Sequence, residues 1–335
     1  MFQYTMLARE YRGGVFDLAY FGYLVIVGED SRILFKVGDP ETTIFYRSSS
    51  KPLQALPVIM RGIDRRYGFT EEESVLFSGS HCGDPIHITA LESMALKGGF
   101  REDMLVMKPA QPGRPENNEA RICAGLPKRK FYHNCAGKHV ALLLLQRELC
   151  AIPEDYWKTD SPAQTEVRQV LSVLGESKKA DLKVGIDGCG VPVYATGIVN
   201  AAIAFKNLTA PDRIKDDELG KAVATYIPRI HRYPHMMSGD GYLVTILNRD
   251  PNLVAKSGAN GVFCLALKKE RIGVTMKFLD GTQSIFPLVV TEVLRGIGAL
   301  SAETDERLNS INPSIIYNDN GTAVGYRELA FKVRL

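Results

Sequence analysis

Three short segments combine serine with lysine in a pattern that fits acyl transfer. Residues 48–51 read S-S-S-K, residues 78–80 read S-G-S, and residues 256–258 read K-S-G. A serine hydroxyl is a weak nucleophile until a base removes its proton, and a lysine can do so when burial or a nearby cation keeps it neutral. The three segments therefore predict a serine that attacks an amide while a lysine manages the proton.

The first segment puts Ser48 and Lys51 three residues apart. At a helix start, residues with this spacing lie on the same face, so the Lys51 amine can reach the Ser48 hydroxyl across one turn. Ser49 and Ser50 are further candidates, but only Ser48 has the S-x-x-K spacing. A chain of this length contains about one S-x-x-K by chance. The alternative interpretation is a helix-capping serine followed by a solvated lysine.

Ser80 and Lys256 make a second candidate pair. Gly79 and Gly83 permit a backbone turn that presents Ser80 to a cleft. Lys256 ends a predicted strand, and the flat backbone around Gly258 could offer N–H groups to an oxyanion. The alternative interpretation of Ser80 is an ordinary helix-capping loop, and that of Lys256 is a surface lysine beside a turn. K-[ST]-G occurs by chance in only roughly one chain in seven of this length. Finding all three segments in this order therefore favours an active site over chance.

Two cysteines lie in glycine-rich turns, at residues 134–139 (N-C-A-G-K-H) and 187–192 (D-G-C-G-V-P). Cys135 and Cys189 could share one Zn²⁺, which prefers thiolate and nitrogen ligands in a tetrahedral site. His139 is a possible further ligand, although a histidine there more often satisfies a helix start. The chain has no C-x-x-C, so spacing alone favours two buried free thiols.

The elements that must position these residues indicate an α+β fold. Residues 15–38 predict a β-hairpin, residues 253–278 an antiparallel meander and residues 323–333 a closing strand. We expect one domain, residues 1–335, in which both termini build an antiparallel sheet lobe (about 1–46 and 240–335). A helical lobe (about 47–239) is inserted between them.

Helix signals fill the middle of the chain. We predict helices that start near Ser50, Thr70 and Asp84 and others over residues 138–148, 161–175, 195–206, 216–230 and 284–299. Residues 182–186 predict a short buried strand, and residues 109–130 a long functional loop.

Composition excludes several classes of function. The chain has 335 residues, 45% hydrophobic and 24% charged, with a net charge of +3, which is typical of a globular protein and favours neither a nucleic-acid nor a membrane partner. The first ten residues lack the basic and apolar regions of a signal peptide. We therefore expect a cytoplasmic protein whose six cysteines are thiols.

Taken together, five segments resemble the rhizobial-type L-asparaginases. They are residues 47–54, 78–81, 134–139, 187–192 and 256–261. The resemblance implies a serine β-lactamase-like fold, with segments S-x-x-K, S-x-S and K-[ST]-G in the order seen in that fold. It also implies a homodimer. In residues 259–260, Ala-Asn replaces the acidic residue expected before Gly261 in some relatives, which bears on substrate contacts.

The same resemblance implies roles for individual residues. Ser48 with Lys51 and Ser80 with Lys256 would form two Ser–Lys tandems. Zn²⁺ would be held beside the substrate by three ligands, Cys135, Lys138 and Cys189, and the lysine must be neutral to bind.

The predicted reaction is hydrolysis of L-asparagine to L-aspartate and ammonia through an acyl-enzyme. We expect Ser48 to attack, Lys51 to take its proton, and Ser80 to relay protons or hold the oxyanion. On charge alone, Arg47 is a candidate anchor for the substrate carboxylate and Asp187 for the ammonium.

Three other functions remain open from the sequence. They are a serine-type glutaminase or other β-lactamase-like amidohydrolase, a zinc hydrolase in which metal-bound water attacks, and a non-catalytic amino-acid sensor.

Overall fold

The strands of the protein form two sheets. A computed structural model describes residues 4–335. Within that range the strands are β1 Thr5–Arg12, β2 Val15–Val27, β3 Ile33–Val37, β4 Thr43–Phe45, β5 Lys183–Ile186, β6 Pro192–Gly197, β7 Leu253–Gly258, β8 Val262–Leu267, β9 Ile272–Phe278, β10 Ile315–Tyr317 and β11 Ala323–Leu329. The larger sheet has the order β10-β11-β1-β2-β9-β8-β7, with β3 also paired to β2, and its neighbouring strands are antiparallel. The smaller sheet has the order β4-β6-β5.

Helices account for most of the chain between these strands. They are α1 Lys51–Met60, α2 Ile63–Arg66, α3 Glu71–Val75, α4 Pro85–Gly98, α5 Pro115–Cys123, α6 Ala136–Glu148, α7 Pro162–Leu174, α8 Ile198–Leu208, α9 Asp217–Arg232, α10 Leu243–Asn248, α11 Phe286–Ile297 and α12 Ala302–Asn309. A 3₁₀ turn, Arg47–Ser50, precedes α1. No helix in residues 4–335 is both long and apolar enough to cross a membrane.

The sheet is built from both ends of the chain, which confirms the predicted α+β fold. Strands β1, β2 and β3 come from the N-terminal part, and β7 to β11 come from the C-terminal part. Helices α1 to α10 lie between them in sequence. The N-terminal arm leaves the large sheet after β3, because β4 pairs with β6 of the small sheet.

Helices cover both faces of the large sheet. Helix α8 packs against β2, β8 and β9. It approaches so closely at Gly273 that an added Cβ would lie 1.9 Å from the Ala202 carbonyl oxygen. On the other face, the Phe286 ring of α11 lies 5.1 Å from that of Phe263 and 5.9 Å from that of Phe278. The central strands are therefore buried on both sides, which explains the continuous apolar run of β8.

Three local predictions were wrong. The strand predicted to be buried at residues 182–186 is β5, but its side chains are mostly exposed, because β5 lies at the edge of the small sheet. The helix predicted from residue 195 begins at Ile198, because residues 192–197 are strand β6, paired with β4 on one edge and with β5 on the other. The loop predicted over residues 109–130 contains helix α5. Pro115 occupies the first turn of α5, where its missing N–H costs nothing, and the helix is mostly polar and exposed, so no apolar stripe reveals it.

Candidate active site

The hydroxyl of Ser80 lies between two lysine side chains. Its Oγ is 2.9 Å from the Nζ of Lys51 and 2.9 Å from the Nζ of Lys256. Both lysines are fully buried, whereas Ser80 is half-buried. The three predicted motifs therefore contribute one residue each to a single hydrogen-bonded cluster.

Three separate elements position this cluster. Lys51 is the first residue of α1, and Lys256 lies within β7, paired with Cys264 of β8. Ser80 lies between α3 and α4, where its backbone N–H donates to the Met237 carbonyl at 2.7 Å. The backbone N–H of Cys82 likewise donates to the carbonyl of Ser238 at 2.9 Å, so this segment is held against residues 237–238.

Hydrogen-bond counts distinguish the two lysines. The Lys51 Nζ has three acceptors: the Gly79 carbonyl at 2.7 Å, the Asn134 carbonyl at 3.1 Å and Ser80 Oγ. This is the full complement of an ammonium group. The Lys256 Nζ has two, Ser80 Oγ and the Ser257 carbonyl at 2.9 Å. A neutral Lys256 amine would satisfy both, donating to the carbonyl and accepting the Ser80 proton.

Burial acts in the same direction on both amines. It lowers the pKa of Lys51, although the nearby Cys135 thiolate opposes the effect. It lowers the pKa of Lys256 well below its usual value, and the charge on Lys51 lowers it further. Two adjacent buried ammonium groups repel each other, so one shared proton is the favoured state of the pair.

Ser48 is the residue that the structure positions differently from the prediction. It lies half-buried in the 3₁₀ turn before α1, and within residues 4–335 its hydroxyl makes no hydrogen bond. Lys51 reaches Ser80 instead, because the carbonyls of Gly79 and Asn134 draw its Nζ in that direction. The Lys51–Ser48 contact expected from spacing is thus not formed in this conformation.

The two neighbouring serines are occupied. Ser49 Oγ donates to the Tyr46 carbonyl at 2.6 Å and Ser50 Oγ to the Arg47 carbonyl at 2.9 Å. Both residues are buried. Within this turn, Ser48 therefore has the hydroxyl that is open to a substrate.

Arg47 and Asp187, the two predicted substrate anchors, contact each other. The Arg47 Nε lies 2.8 Å from the Asp187 Oδ1, and the side chains are 24% and 10% exposed. Arg47 has a φ of 51°, an uncommon backbone conformation for a residue other than glycine. This partly exposed pair of opposite charges matches the paired charges of an α-amino acid.

Cys135, Lys138 and Cys189 converge beside the lysine cluster, and all three are buried. The Lys138 Nζ is 3.0 Å from the Cys189 Sγ. Cys135 and Lys138 come from the start of α6, and Cys189 lies in the turn between β5 and β6. Gly137 lets α6 approach closely, since a Cβ there would lie 2.0 Å from the Leu76 carbonyl oxygen.

The donor atoms of this group fit a zinc ligand set, although Lys138 is protonated in the metal-free protein. A hydrogen bond from Cys189 lowers the pKa of Cys135 well below its ordinary value, and the same bond raises the pKa of Cys189. Burial opposes ionisation of Lys138, but the charges on Cys135, Cys189 and Asp187 and the hydrogen bond to Cys189 together outweigh it and raise the lysine pKa. Two sulfur atoms and one amine are donors that Zn²⁺ accepts, provided that the lysine loses its proton on binding. His139 is not one of these donors, since its Nδ1 lies 2.7 Å from the Tyr156 hydroxyl.

A second group of metal-type donors follows Ser80 but is already satisfied. Cys82, Asp84 and His87 lie within 4.8 Å of one another. His87 accepts from the Asp84 backbone N–H at 3.1 Å, and its Nε2 lies 3.0 Å from the His235 carbonyl oxygen. Arg114 binds the Asp84 carboxylate at 2.7 Å. These contacts tie the segment that follows Ser80 to α4, to His235 and to Arg114, the residue before α5, a role with no signal in the spacing of the sequence.

Comparisons with known proteins identify the family. A sequence model described as L-asparaginase II matches residues 8–329, nearly the whole chain. Among curated proteins, none matches the chain significantly.

Solved structures with some similarity include β-lactamases and a glutaminase. A β-lactamase from Mycobacterium bovis is 16% identical, with 82% of this chain and 94% of that chain covered and a TM-score of 0.45. A putative β-lactamase from Bacteroides dorei is 12% identical, with 77% and 84% covered and a TM-score of 0.43. A probable glutaminase from Bacillus subtilis, complexed with 6-diazo-5-oxo-L-norleucine, is 12% identical, with 87% and 82% covered and a TM-score of 0.33. At scores this low we draw nothing about function from these proteins.

The suspected family is therefore confirmed by the match over residues 8–329 and by the motifs that meet around Ser80. This chain belongs to the L-asparaginase II family and is an amidohydrolase.

Proposed function

We propose that the protein hydrolyses L-asparagine to L-aspartate and ammonia through a serine acyl-enzyme. The observation that carries the proposal is the hydroxyl of Ser80, held 2.9 Å from both Lys51 and Lys256. Two buried amines joined by one hydroxyl can exchange a proton without passing it to water. Serine-dependent amide hydrolysis needs a base that takes the serine proton and an acid that protonates the leaving nitrogen, and this pair can supply both.

The proton movements follow from these contacts. Ser80 passes its proton to neutral Lys256 while it takes one from the Lys51 ammonium, so that Lys51 becomes neutral. The neutral Lys51 amine then accepts the proton of Ser48, which lies one turn earlier on the chain. This step requires the side chains of Ser48 and Lys51 to rotate toward each other.

Ser48 attacks the side-chain amide carbon of asparagine. A bond forms between Ser48 Oγ and that carbon, the C–N bond breaks, and the leaving nitrogen receives the proton held by Lys51. Water attacks the ester by the reverse of the same transfers and releases aspartate. The Arg47–Asp187 pair is suited to hold the α-carboxylate and α-ammonium of the substrate.

The direct test of the function is ammonia release from asparagine. We expect Ser48→Ala to abolish release with the fold intact by circular dichroism, and Ser80→Ala to lower kcat by about 10²- to 10⁴-fold, as expected for loss of a proton-transfer group. Near-normal turnover by Ser48→Ala would contradict the nucleophile assignment.

The same contacts favour one rival mechanism, in which Ser80 attacks and Lys256 is its base. Under that mechanism the acyl group is attached to Ser80, and Ser48→Ala retains activity. Peptide mapping of the acylated protein distinguishes the two mechanisms.

Substrate choice between asparagine and glutamine belongs to the same proposal. Parallel assays of ammonia release from both amides test it. A higher kcat/KM for glutamine would favour a serine-type glutaminase. Binding of asparagine without any ammonia release would favour an amino-acid sensor.

A zinc site at Cys135, Lys138 and Cys189 is also proposed. Its support is the convergence of three buried donors, with 3.0 Å between Lys138 Nζ and Cys189 Sγ. A bound Zn²⁺ would supply a Lewis acid that orients the substrate. We expect Cys135→Ala to lose the metal and Cys82→Ala, a matched buried cysteine, to retain it.

Metal analysis with calorimetry of asparagine binding checks this expectation. Metal-free protein with full affinity for asparagine would contradict the role, and chelation that stops turnover while Ser48→Ala stays active would favour a zinc-water hydrolase. The homodimer implied by the family resemblance remains a proposal that light scattering tests.

A further inference from the structure

Ser78, the first residue of the S-G-S segment, is fully buried and takes no part in the proton transfers. Its Oγ lies 2.7 Å from the hydroxyl oxygen of Tyr226, a fully buried residue of α9. The Tyr226 hydroxyl also donates to the backbone carbonyl of Ser74 at 3.0 Å. Since a phenol has one proton to give, the Ser78 hydroxyl is the donor to Tyr226.

These two bonds fix the segment that leads to Ser80. The chain leaves α3 through bonds from the Ser78 N–H to the Val75 carbonyl and from the Gly79 N–H to the Leu76 carbonyl, both 3.0 Å. Tyr226 therefore ties the end of α3 to the residue that precedes Gly79.

Gly79 connects the position of Ser78 to that of Lys51. Its carbonyl accepts the shortest hydrogen bond of Lys51, at 2.7 Å. It has no room to shift toward the neighbouring segment, because an added Cβ would lie 2.6 Å from the Met236 carbonyl oxygen. A displacement of Ser78 must therefore move the Gly79 carbonyl and Ser80, which share Lys51.

Helix α9 is itself anchored next to Tyr226. The Nη1 of Arg229 donates to Asp64 at 2.6 Å and to the Ser74 hydroxyl at 3.1 Å. All three side chains are buried. The Tyr226 ring is thus presented from a fixed helix, so its hydroxyl is a rigid support for the Ser80 segment.

We propose that Tyr226, through Ser78, is a positioning residue that sets the Gly79 carbonyl and the Ser80 hydroxyl relative to Lys51. The proposal rests on the proposed function, because the reaction it supports is the serine–lysine transfer. Tyr226 does not touch the reacting atoms, so its removal is expected to slow the chemical step and leave substrate binding intact.

The test compares two buried tyrosines, Tyr226 and Tyr194. Tyr226→Phe removes the hydroxyl that binds Ser78. Tyr194→Phe is the matched control, since its hydroxyl also donates to a backbone carbonyl, that of Gln164 at 3.2 Å, away from the cluster. We expect Tyr226→Phe to lower kcat by about 10- to 100-fold with KM changed less than about twofold, because small misplacements of reacting groups cost that much. Tyr194→Phe is expected to retain kcat within about twofold.

A double-mutant cycle separates positioning from general loss of structure. Ser78→Ala is expected to lower kcat as well, and the double variant Tyr226→Phe/Ser78→Ala is expected to be no slower than Tyr226→Phe alone, because both changes remove the same contact. Thermal melts establish that each variant is folded. If Tyr226→Phe does not fold, Ser78→Ala alone decides the proposal by the same split between kcat and KM.

A probe that does not depend on asparagine tests the positioning role of Tyr226 separately from the proposed asparaginase activity. The rate at which a serine-directed fluorophosphonate labels the protein reports the serine–lysine cluster even if asparagine is not the substrate. We expect slower labelling of Tyr226→Phe than of Tyr194→Phe. Equal labelling rates, or a kcat of Tyr226→Phe within twofold of the wild type, would overturn the positioning role.

Discussion

Lys51 and Lys256 lie far apart in the sequence, at the start of α1 and within β7, and meet at one oxygen atom. Each Nζ lies 2.9 Å from the hydroxyl oxygen of Ser80, and both side chains are fully buried. Through the Ser80 hydroxyl, one proton can therefore move between the two amines.

Replacing Lys256 with methionine separates activity from stability. Lys256→Met removes the proton acceptor of Ser80, and we expect kcat to fall by about 10²-fold or more. The free energy of unfolding at neutral pH is expected not to fall, because the unfolded chain binds a proton at this lysine that the folded chain, with its lowered pKa, binds only weakly. Denaturant titration and ammonia release measure the two effects. A large loss of stability together with retained kcat would contradict this account of the buried amine.

The pH dependence of kcat follows from the same group. Burial holds the pKa of Lys256 well below that of a free lysine, and only the neutral amine can accept the Ser80 proton. Activity should therefore rise as the pH increases through this lowered pKa and level off above it. A kcat profile between about pH 5 and about pH 9 checks the rise. Lys256→Met should lose this rise, and an unchanged profile in that variant would assign the titration to another group.

Gly137 is predicted to be required for the approach of α6. An alanine Cβ would lie 2.0 Å from the Leu76 carbonyl oxygen, which is backbone and cannot move aside easily. We expect Gly137→Ala to destabilise the fold by about 1–3 kcal/mol and to weaken metal retention. Gly188→Ala is the control, since a Cβ there meets nothing within 4 Å. Equal stability of the two variants by denaturant titration would show that α6 can shift.

The sequence predicted which residues gather at the site better than it predicted their contacts. The motif order predicts that Ser80, Lys51 and Lys256 belong to one site, and they meet as one cluster. Spacing alone paired Lys51 with Ser48. The observed choice of Ser80 depends on the carbonyls of Gly79 and Asn134, two backbone groups from other segments whose directions no local pattern encodes.

The fold, like the site, was predictable in part from the sequence. The sheet from both termini was readable because alternating and apolar strands lie at the two ends of the chain. The last three residues of β6, 195–197, predict the start of a helix, but pairing with β4 and β5 rather than local propensity sets their conformation. The role of Tyr226 was equally hidden, since 148 positions separate it from Ser78.

The central claim is that asparagine is cleaved through an ester on Ser48, and rapid-quench mass spectrometry of the protein during turnover tests it most directly. The account predicts an aspartyl adduct on the peptide that contains Ser48, absent from Ser48→Ala and formed more slowly in Ser80→Ala. An adduct on the peptide that contains Ser80, or turnover with no adduct on either serine, would contradict it.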